Sequence, residues 1–288
     1  MYITIKDLIR QGERILKASK IDNAGNDAET LLGFLAGFDK QQLFMNQGFI
    51  VDDFLQKKYL EMIERRSAGE PLQYITGEQY FLGHRFSVDS SVLIIRPETE
   101  ILAEKAISYL FSNKGASDVL DLCTGSGVLA VSIAKACPDV RITASDISAG
   151  ALSVAMKNAR SLDVCDRIDF IQSDLFKEIK NNYAGKEFDL IVTNPPYIRS
   201  GDIDSLQKEI REYEPVLALD GGIDGLDFYR AIASEAGGFM RPNACILAEV
   251  GHDQAADVLA IFRGSGFKNL KVYKDLSGFD RIIEGVKC

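Results

Sequence analysis

Apolar positions in the first 70 residues recur three and four apart. Leu8, Ile15 and Leu16 fall on one such face, Ala28, Leu31, Leu32, Leu35 and Ala36 on a second, and Phe54, Leu55, Tyr59, Met62 and Ile63 on a third. This is the spacing of amphipathic helices, and it predicts a small helical bundle. Asp27 is placed to start the second helix, which Gly33 weakens only modestly. Pro71 ends the bundle, and residues 73–88 alternate aromatic and polar positions around Gly77 and Gly83, the pattern of hairpin strands. From Glu98 the period changes. Short β-branched runs at 119–122, 140–144, 168–171, 188–192 and 245–249 alternate with helical stretches at 98–112, 126–136, 148–160 and 225–240. That order predicts an α/β protein with a doubly wound, mostly parallel sheet, closed by an antiparallel pair at 270–273 and 280–284. The expected organisation is therefore a helical domain at 1–70, a β-hairpin linker at 71–95 and a large domain at 96–288.

Composition narrows the function. The 288 residues are long for a single core, and 46% hydrophobic with 26% charged residues excludes disorder over the whole chain. Thirty-three basic against 42 acidic residues leave a net charge of −9, which argues against direct, sequence-independent binding to nucleic acid, because that affinity rests on cations neutralising phosphates. Residues 1–75 carry ten basic and eleven acidic groups, so neither part is basic. No run reaches the roughly 18 apolar residues of a membrane span, and the charged N-terminus does not read as a signal peptide, so a cytoplasmic protein is expected. Five cysteines without a Cys-x-x-Cys pair read as reduced thiols. With His84 and His252 the only histidines, both read as structural, histidine metal sites and Ser-His-Asp catalysis have almost no raw material; no metal is expected.

The first strand of the sheet runs into Asp121-Leu-Cys123-Thr124-Gly125-Ser126-Gly127, followed by a helix. Two glycines let the backbone turn sharply and approach a ligand, and the helix offers its N-terminus. The next strand ends at Asp146, whose carboxylate can accept both hydroxyls of a ribose, and Ser148 caps the helix beyond. Gly125, Gly127 and Ala130 with Asp146 also satisfy a nicotinamide-dinucleotide pattern, so the turn alone does not choose between that cofactor and S-adenosylmethionine. Asp121 favours the latter, since an acid there faces a cationic amino-acid moiety better than a pyrophosphate. Asp174, after the third strand, offers an acceptor to an adenine amine or, alternatively, caps a helix.

Residues 188–193 deliver Asn194-Pro195-Pro196-Tyr197 at a strand's carboxyl end. The prolines restrict the backbone on both sides, which preorganises Asn194 and the Pro195 carbonyl to accept the two N–H groups of a planar amide or amine. Tyr197 is placed to stack on that group and exclude water. A cationic sulfonium methyl needs no activated nucleophile, which agrees with the shortage of histidine. The 202–212 run reads as a solvated loop and helix.

These residues, with Glu70-Pro-Leu-Gln-Tyr-Ile-Thr-Gly-Glu, Phe81-Leu-Gly, Arg96-Pro-Glu-Thr-Glu100 and Glu214-Pro-Val-Leu-Ala-Leu-Asp-Gly-Gly222, resemble class I S-adenosylmethionine-dependent methyltransferases, and most closely the protein-(glutamine-N5) methyltransferases acting on peptide chain release factors, the PrmC/HemK family. The resemblance covers nearly the whole chain. It implies a seven-stranded Rossmann-like sheet behind an N-terminal helical bundle that grips the partner, and a monomeric enzyme methylating the glutamine of a release factor's Gly-Gly-Gln motif. It further implies S-adenosylmethionine held by Asp121, Cys123 to Gly127, Asp146, Asp174, Leu175 and Asn194, with the substrate glutamine on Asn194, Pro195, Pro196 and Tyr197. Asn194, Pro195 and Tyr197 would be catalytic. Arg96 to Glu100 would form a wall of the site and Phe81 would line it. Ile95 stands where the family often has proline, and Leu175 where some members have an aromatic. A ribosomal-protein glutamine methyltransferase would differ mainly in partner; an adenine-N6 nucleic-acid methyltransferase shares Asn-Pro-Pro-Tyr but calls for a basic recognition region.

Overall fold

The structure, a computed structural model, describes residues 2–183 and 185–287; Cys288, one of the five cysteines, lies outside them. The chain divides into two compact units, Met1–Glu78 with Gln207–Tyr213, and Gln79–Leu206 with Glu214–Cys288.

The first unit comprises β1 (Ile3–Thr4), α1 (Ile5–Ala18), α2 (Ala24–Ala36), α3 (Lys40–Met45), β2 (Ile50–Val51), α4 (Asp53–Ser67) and α5 (Leu72–Thr76). Thr4 caps α1 reciprocally with Asp7, each side chain accepting the other's backbone N–H. Leu8, Leu16, Ala28, Leu31, Tyr59 and Ile63 form its core. Three expectations are corrected. Phe54 follows the N-cap of α4 and is 72% exposed, outside that core. Asp27 does not start α2, which begins three residues earlier; it is buried inside and accepts from Arg66 Nε at 2.7 Å, while Arg66 Nη2 donates to Glu209 at 2.6 Å. Segment 207–213 thus contributes an ion-pair partner to this unit. Finally, residues 73–76, expected as strand, belong to a helical turn, Leu72–Thr76: Pro71 fixes its entry and Gly77, in the left-handed region, its exit, leaving room for little else.

In the second unit β3 (Glu78–Phe81, its first residue counted with the first unit) and β4 (His84–Ser87) make the expected hairpin. Then follow α6 (Thr99–Ser112), β5 (Asp118–Leu122), α7 (Val128–Ala136), β6 (Arg141–Asp146), α8 (Ala149–Ser161), β7 (Ile168–Gln172), α9 (Lys177–Asn182), β8 (Phe188–Thr193), α10 (Lys208–Tyr213, described above), α11 (Asp227–Ala236), β9 (Met240–Glu249), α12 (Ala255–Gly264), β10 (Lys268–Lys274) and β11 (Asp280–Val286). The seven-stranded sheet runs β10-β11-β9-β8-β5-β6-β7, parallel except where β11 pairs antiparallel with β9 and β10. Helix α11 is shorter than expected because the pair Gly237-Gly238 converts its end to a 3₁₀ turn. The order of strands reverses direction about β5, and in such sheets ligands bind beyond the carboxyl ends at that reversal. No helix among the described residues is long and apolar enough to cross a membrane.

Candidate active site

Parallel register aligns the strand ends. Leu122 of β5 pairs with Ser145 of β6 and Thr193 of β8, and Thr193 pairs with Ala248 of β9. The residues just beyond, Cys123, Asp146, Asn194 and Glu249, therefore stand in a row along one sheet edge. A cavity with an empty volume of about 1120 Å³, its open mouth included, lies there, ample for a nucleoside-sized ligand.

The turn after β5 forms one end of the cavity. Thr124 N–H donates to Ser145 O, and Gly125 N–H donates to Asp146 Oδ2 at 2.9 Å, while Ser148 N–H donates to Asp146 Oδ1 at 2.9 Å. Asp146 is thus fixed by one backbone donor on each oxygen and keeps lone pairs toward the cavity it lines; burial raises its carboxyl above the usual range. Gly127 has φ +77°, and a Cβ there would sit 2.9 Å from Ala155 Cβ, so only glycine lets α7 pack on α8 at this turn. Cys123, Thr124, Gly125 and Ser126 line the cavity, as do Asp174 and Leu175. Asp174 makes no helix cap, since α9 starts after Phe176. Leu175 takes φ +47°, held by Ser173 Oγ donating to its carbonyl. Burial pushes the Cys123 thiol well above its ordinary value, so it stays protonated.

Asp121 stands elsewhere. It is fully buried beneath the turn and outside the cavity lining, with Oδ2 accepting from Thr124 Oγ1 at 2.6 Å and Ala130 N–H at 3.1 Å. Its Oδ1 has no partner, and burial raises the carboxyl to about 7.

At the other end Asn194 and Pro196 line the cavity; Pro195 is buried and Tyr197 half-buried against the core, neither in the lining. Asn194 Nδ2 donates to Thr99 Oγ1 at 3.4 Å, which leaves Oδ1 available. Burial raises the Tyr197 phenol to about 12, so it remains neutral. Of the Arg96 to Glu100 segment, Arg96 and Thr99 line the cavity; Glu100 instead accepts from Leu82 N–H at 2.8 Å. Phe81, expected to line the site, is buried against Phe86 and contributes nothing to the wall. Ile95 lines the cavity and its carbonyl accepts from Gln79. His252 is exposed against Phe279, outside the lining.

Several residues outside the lining support it. Gln254 is buried; its Nε2 donates to the carbonyls of Tyr197 at 2.9 Å and Gly225 at 3.2 Å, and its Oε1 accepts from Gly251 N–H. It clamps the Asn-Pro-Pro-Tyr turn onto the 221–225 glycine cluster. Gly221 lies so close to that turn that a Cβ would come 2.7 Å from Tyr197 Cα and 2.9 Å from Pro196 O. Buried Glu214 accepts from Arg96 Nη2 at 2.6 Å and from Ile94 N–H at 3.3 Å, fixing the wall opposite. Glu249 is 1% exposed beside Asn194 and Thr99. Leu217 and Phe228 also line the cavity. The one available signal for Glu249 was its place at the carboxyl end of a strand next to β8.

Comparisons with known proteins place the chain in a family. Residues 7–77 match the family described as PrmC N-terminal domain, and residues 99–223 that described as Methyltransferase small domain. A release factor glutamine methyltransferase of Clostridium acetobutylicum is 37% identical over 283 residues, 98% of each chain. One from Geobacter sulfurreducens is 37% identical over 286 residues, 98% of this chain and 96% of the other. The fold is shared with a solved methyltransferase from Pyrococcus furiosus, 14% identical with a TM-score of 0.52 over 82% of this chain and 99% of the other. By whole-length identity to these relatives, the chain belongs to the family of release factor glutamine methyltransferases.

Proposed function

We propose that this chain transfers the methyl group of S-adenosylmethionine to the side-chain amide nitrogen of the glutamine in the Gly-Gly-Gln motif of a peptide chain release factor. The observation that carries the reading is one cavity lined at one end by the Gly125 turn and Asp146 and at the other by Asn194.

The residues fit the cofactor. The turn is a glycine cradle whose Gly125 would direct a Cβ into open space, and Asp146 is held with free acceptor capacity for a ribose diol. Asp174 and Leu175 would border the adenine. Asp121, beneath the turn, would contribute negative charge near a cationic ligand and hold the loop, without touching it. When bound, S-adenosylmethionine supplies a methyl group on a cationic sulfur, an electrophile that asks for no charged nucleophile.

The chain's own work is orientation. Asn194 Oδ1, which lines the cavity, accepts an N–H of the glutamine amide, which draws the nitrogen lone pair out of conjugation, while Pro195, buried behind it, holds the turn rigid. Tyr197, neutral up to about pH 12 and packed against the core behind the turn, does not serve as a base. The first unit would bind the release factor away from the reacting glutamine.

The test is transfer of labelled methyl from S-adenosylmethionine to purified release factor, ribosomal protein or DNA. Label on the release factor, abolished when its motif glutamine is replaced, is expected. Label on DNA or on ribosomal protein alone would overturn the reading. Asn194→Ala should lower kcat about 100-fold or more, the usual scale for losing one preorganised hydrogen-bonding group.

A further inference from the structure

Glu249 is the most deeply buried acid at the sheet edge that the mechanism above leaves unused. Thr193 and Ala248 are paired in register on adjacent parallel strands, so Asn194 and Glu249 occupy the same next position, about 4.8 Å apart in backbone terms. The Thr99 hydroxyl and the Asn194 amide face the Glu249 carboxyl, and its Oε2 has no hydrogen-bond partner. The Tyr229 hydroxyl donates to the Glu249 carbonyl at 2.8 Å and pins the strand end. Nothing in packing alone calls for a carboxylate there: a fully buried acid with an orphaned oxygen is costly to keep.

We propose that Glu249 is a positioning residue that sets which end of the Asn194 amide faces the cavity, and that its protonation state switches that orientation. The proposal rests on the functional reading above. An ionised carboxylate only accepts, so it draws Asn194 Nδ2 toward itself and Thr99 and leaves Oδ1 for the substrate amide. A protonated carboxyl also donates, and can bond Asn194 Oδ1 instead, which turns Nδ2 into the cavity, where it repels the substrate's own N–H groups. Burial pushes Glu249 up to about 7 against the opposing hydrogen bonds of Thr99 and Asn194. The other ionisable groups facing it are Arg281 on β11, which favours the charge, and Glu98 before α6, which opposes it, with the Tyr197 and Tyr229 phenols remaining neutral. The productive orientation therefore belongs to the side above about pH 7.

The full-length protein without ligand gives the first readout. The Asn194 side-chain amide signal, assigned by its loss in Asn194→Ala, is followed by NMR across about pH 5 to 9. It should titrate with a midpoint near 7 in the wild type, and not in Glu249→Gln. A signal that does not move, or moves alike in both, overturns the proposal. Thr99→Val, which removes one bond favouring the charge, should raise that midpoint, and an unmoved midpoint counts against the cluster; this variant serves should Glu249→Gln not fold. In methylation assays Glu249→Gln should lower kcat about 10- to 100-fold on the alkaline side, keep both KM values within about twofold, and lose the rise in kcat through neutral pH. Wild-type kcat in the variant, or an effect on KM alone, sinks the assignment. Failure of the wild type to methylate a release factor would refute the functional reading, while the NMR titration would still judge Glu249.

Discussion

Asp121 shows how burial alone reassigns a residue. A carboxylate before a glycine turn reads as a ligand contact, yet in this central strand the side chain points under the turn, bonded to Thr124 and Ala130. Its folded carboxyl lies at about 7, above its ordinary value. A raised acid contributes stability that is fully present below the unfolded pKa and lost as pH rises through the folded one. The wild type should therefore lose stability between about pH 4 and 7, by at most a few kcal/mol, since each unit is worth about 1.4. Asp121→Asn keeps the accepting oxygen and cannot ionise. It should match the wild type at about pH 4 and melt several degrees higher at pH 8; thermal denaturation at both values checks this, and an unchanged pH slope refutes it. Because Glu249 shifts the same way, the slope should shrink without vanishing. Asn194, in contrast, was legible because its two prolines mark it. Glu249 and Gln254 were not, because a lone Glu at the end of a strand and a lone Gln before a helix acquire meaning only from the register and the turn that meet them.

At the scale of elements, the sheet was readable because its strands are buried on both faces and so spell continuous apolar runs, as in 188–193. Residues 73–76 misled because the alternation read over 73–88 competes there with a Pro71–Gly77 bracket, and the bracket won. The membership of 207–213 in the first unit was invisible, since it depends on Arg66 finding Glu209 across 143 positions. The geometry of the glycine cluster at 221–225 leads to a prediction. Every near neighbour of a Cβ on Gly221 is backbone, of Tyr197, Pro196 and Gly225, so nothing can yield by rotating a side chain. Gly221→Ala should cost about 1–3 kcal/mol in stability and, by moving the Asn194 turn, reduce kcat more than it reduces affinity for S-adenosylmethionine. Calorimetric binding and steady-state rates separate the two; a variant with normal kcat would show that the turn tolerates displacement.

For the whole molecule, the remaining question is what the first unit does for a reaction whose cavity is lined entirely by the second. Its core is complete, yet Phe44, Met45, Phe49, Ile50 and Phe54 are all more than half exposed within eleven residues, and Tyr2 lies alongside through the β1–β2 pairing. Singly scattered exposed apolar residues need no explanation, whereas large ones this close in sequence suit a partner surface, and we propose that they bind the release factor. The acidic chain lacks the charge for a nucleic-acid partner, and an apolar patch suits a protein. Covering one such phenylalanine is worth about 1.5–3 kcal/mol, or roughly 10- to 100-fold in affinity. Phe44→Ser combined with Phe54→Ser should therefore raise KM for the release factor at least about tenfold, with kcat at saturation and KM for S-adenosylmethionine within about twofold. Both side chains are exposed, so the fold should survive, which an unchanged melting temperature would establish. A glutamine-containing peptide too short to reach the first unit should be methylated equally by the variant and the wild type. If instead KM for the intact release factor stays at the wild-type value, recognition lies elsewhere on the chain and the exposed phenylalanines need another partner.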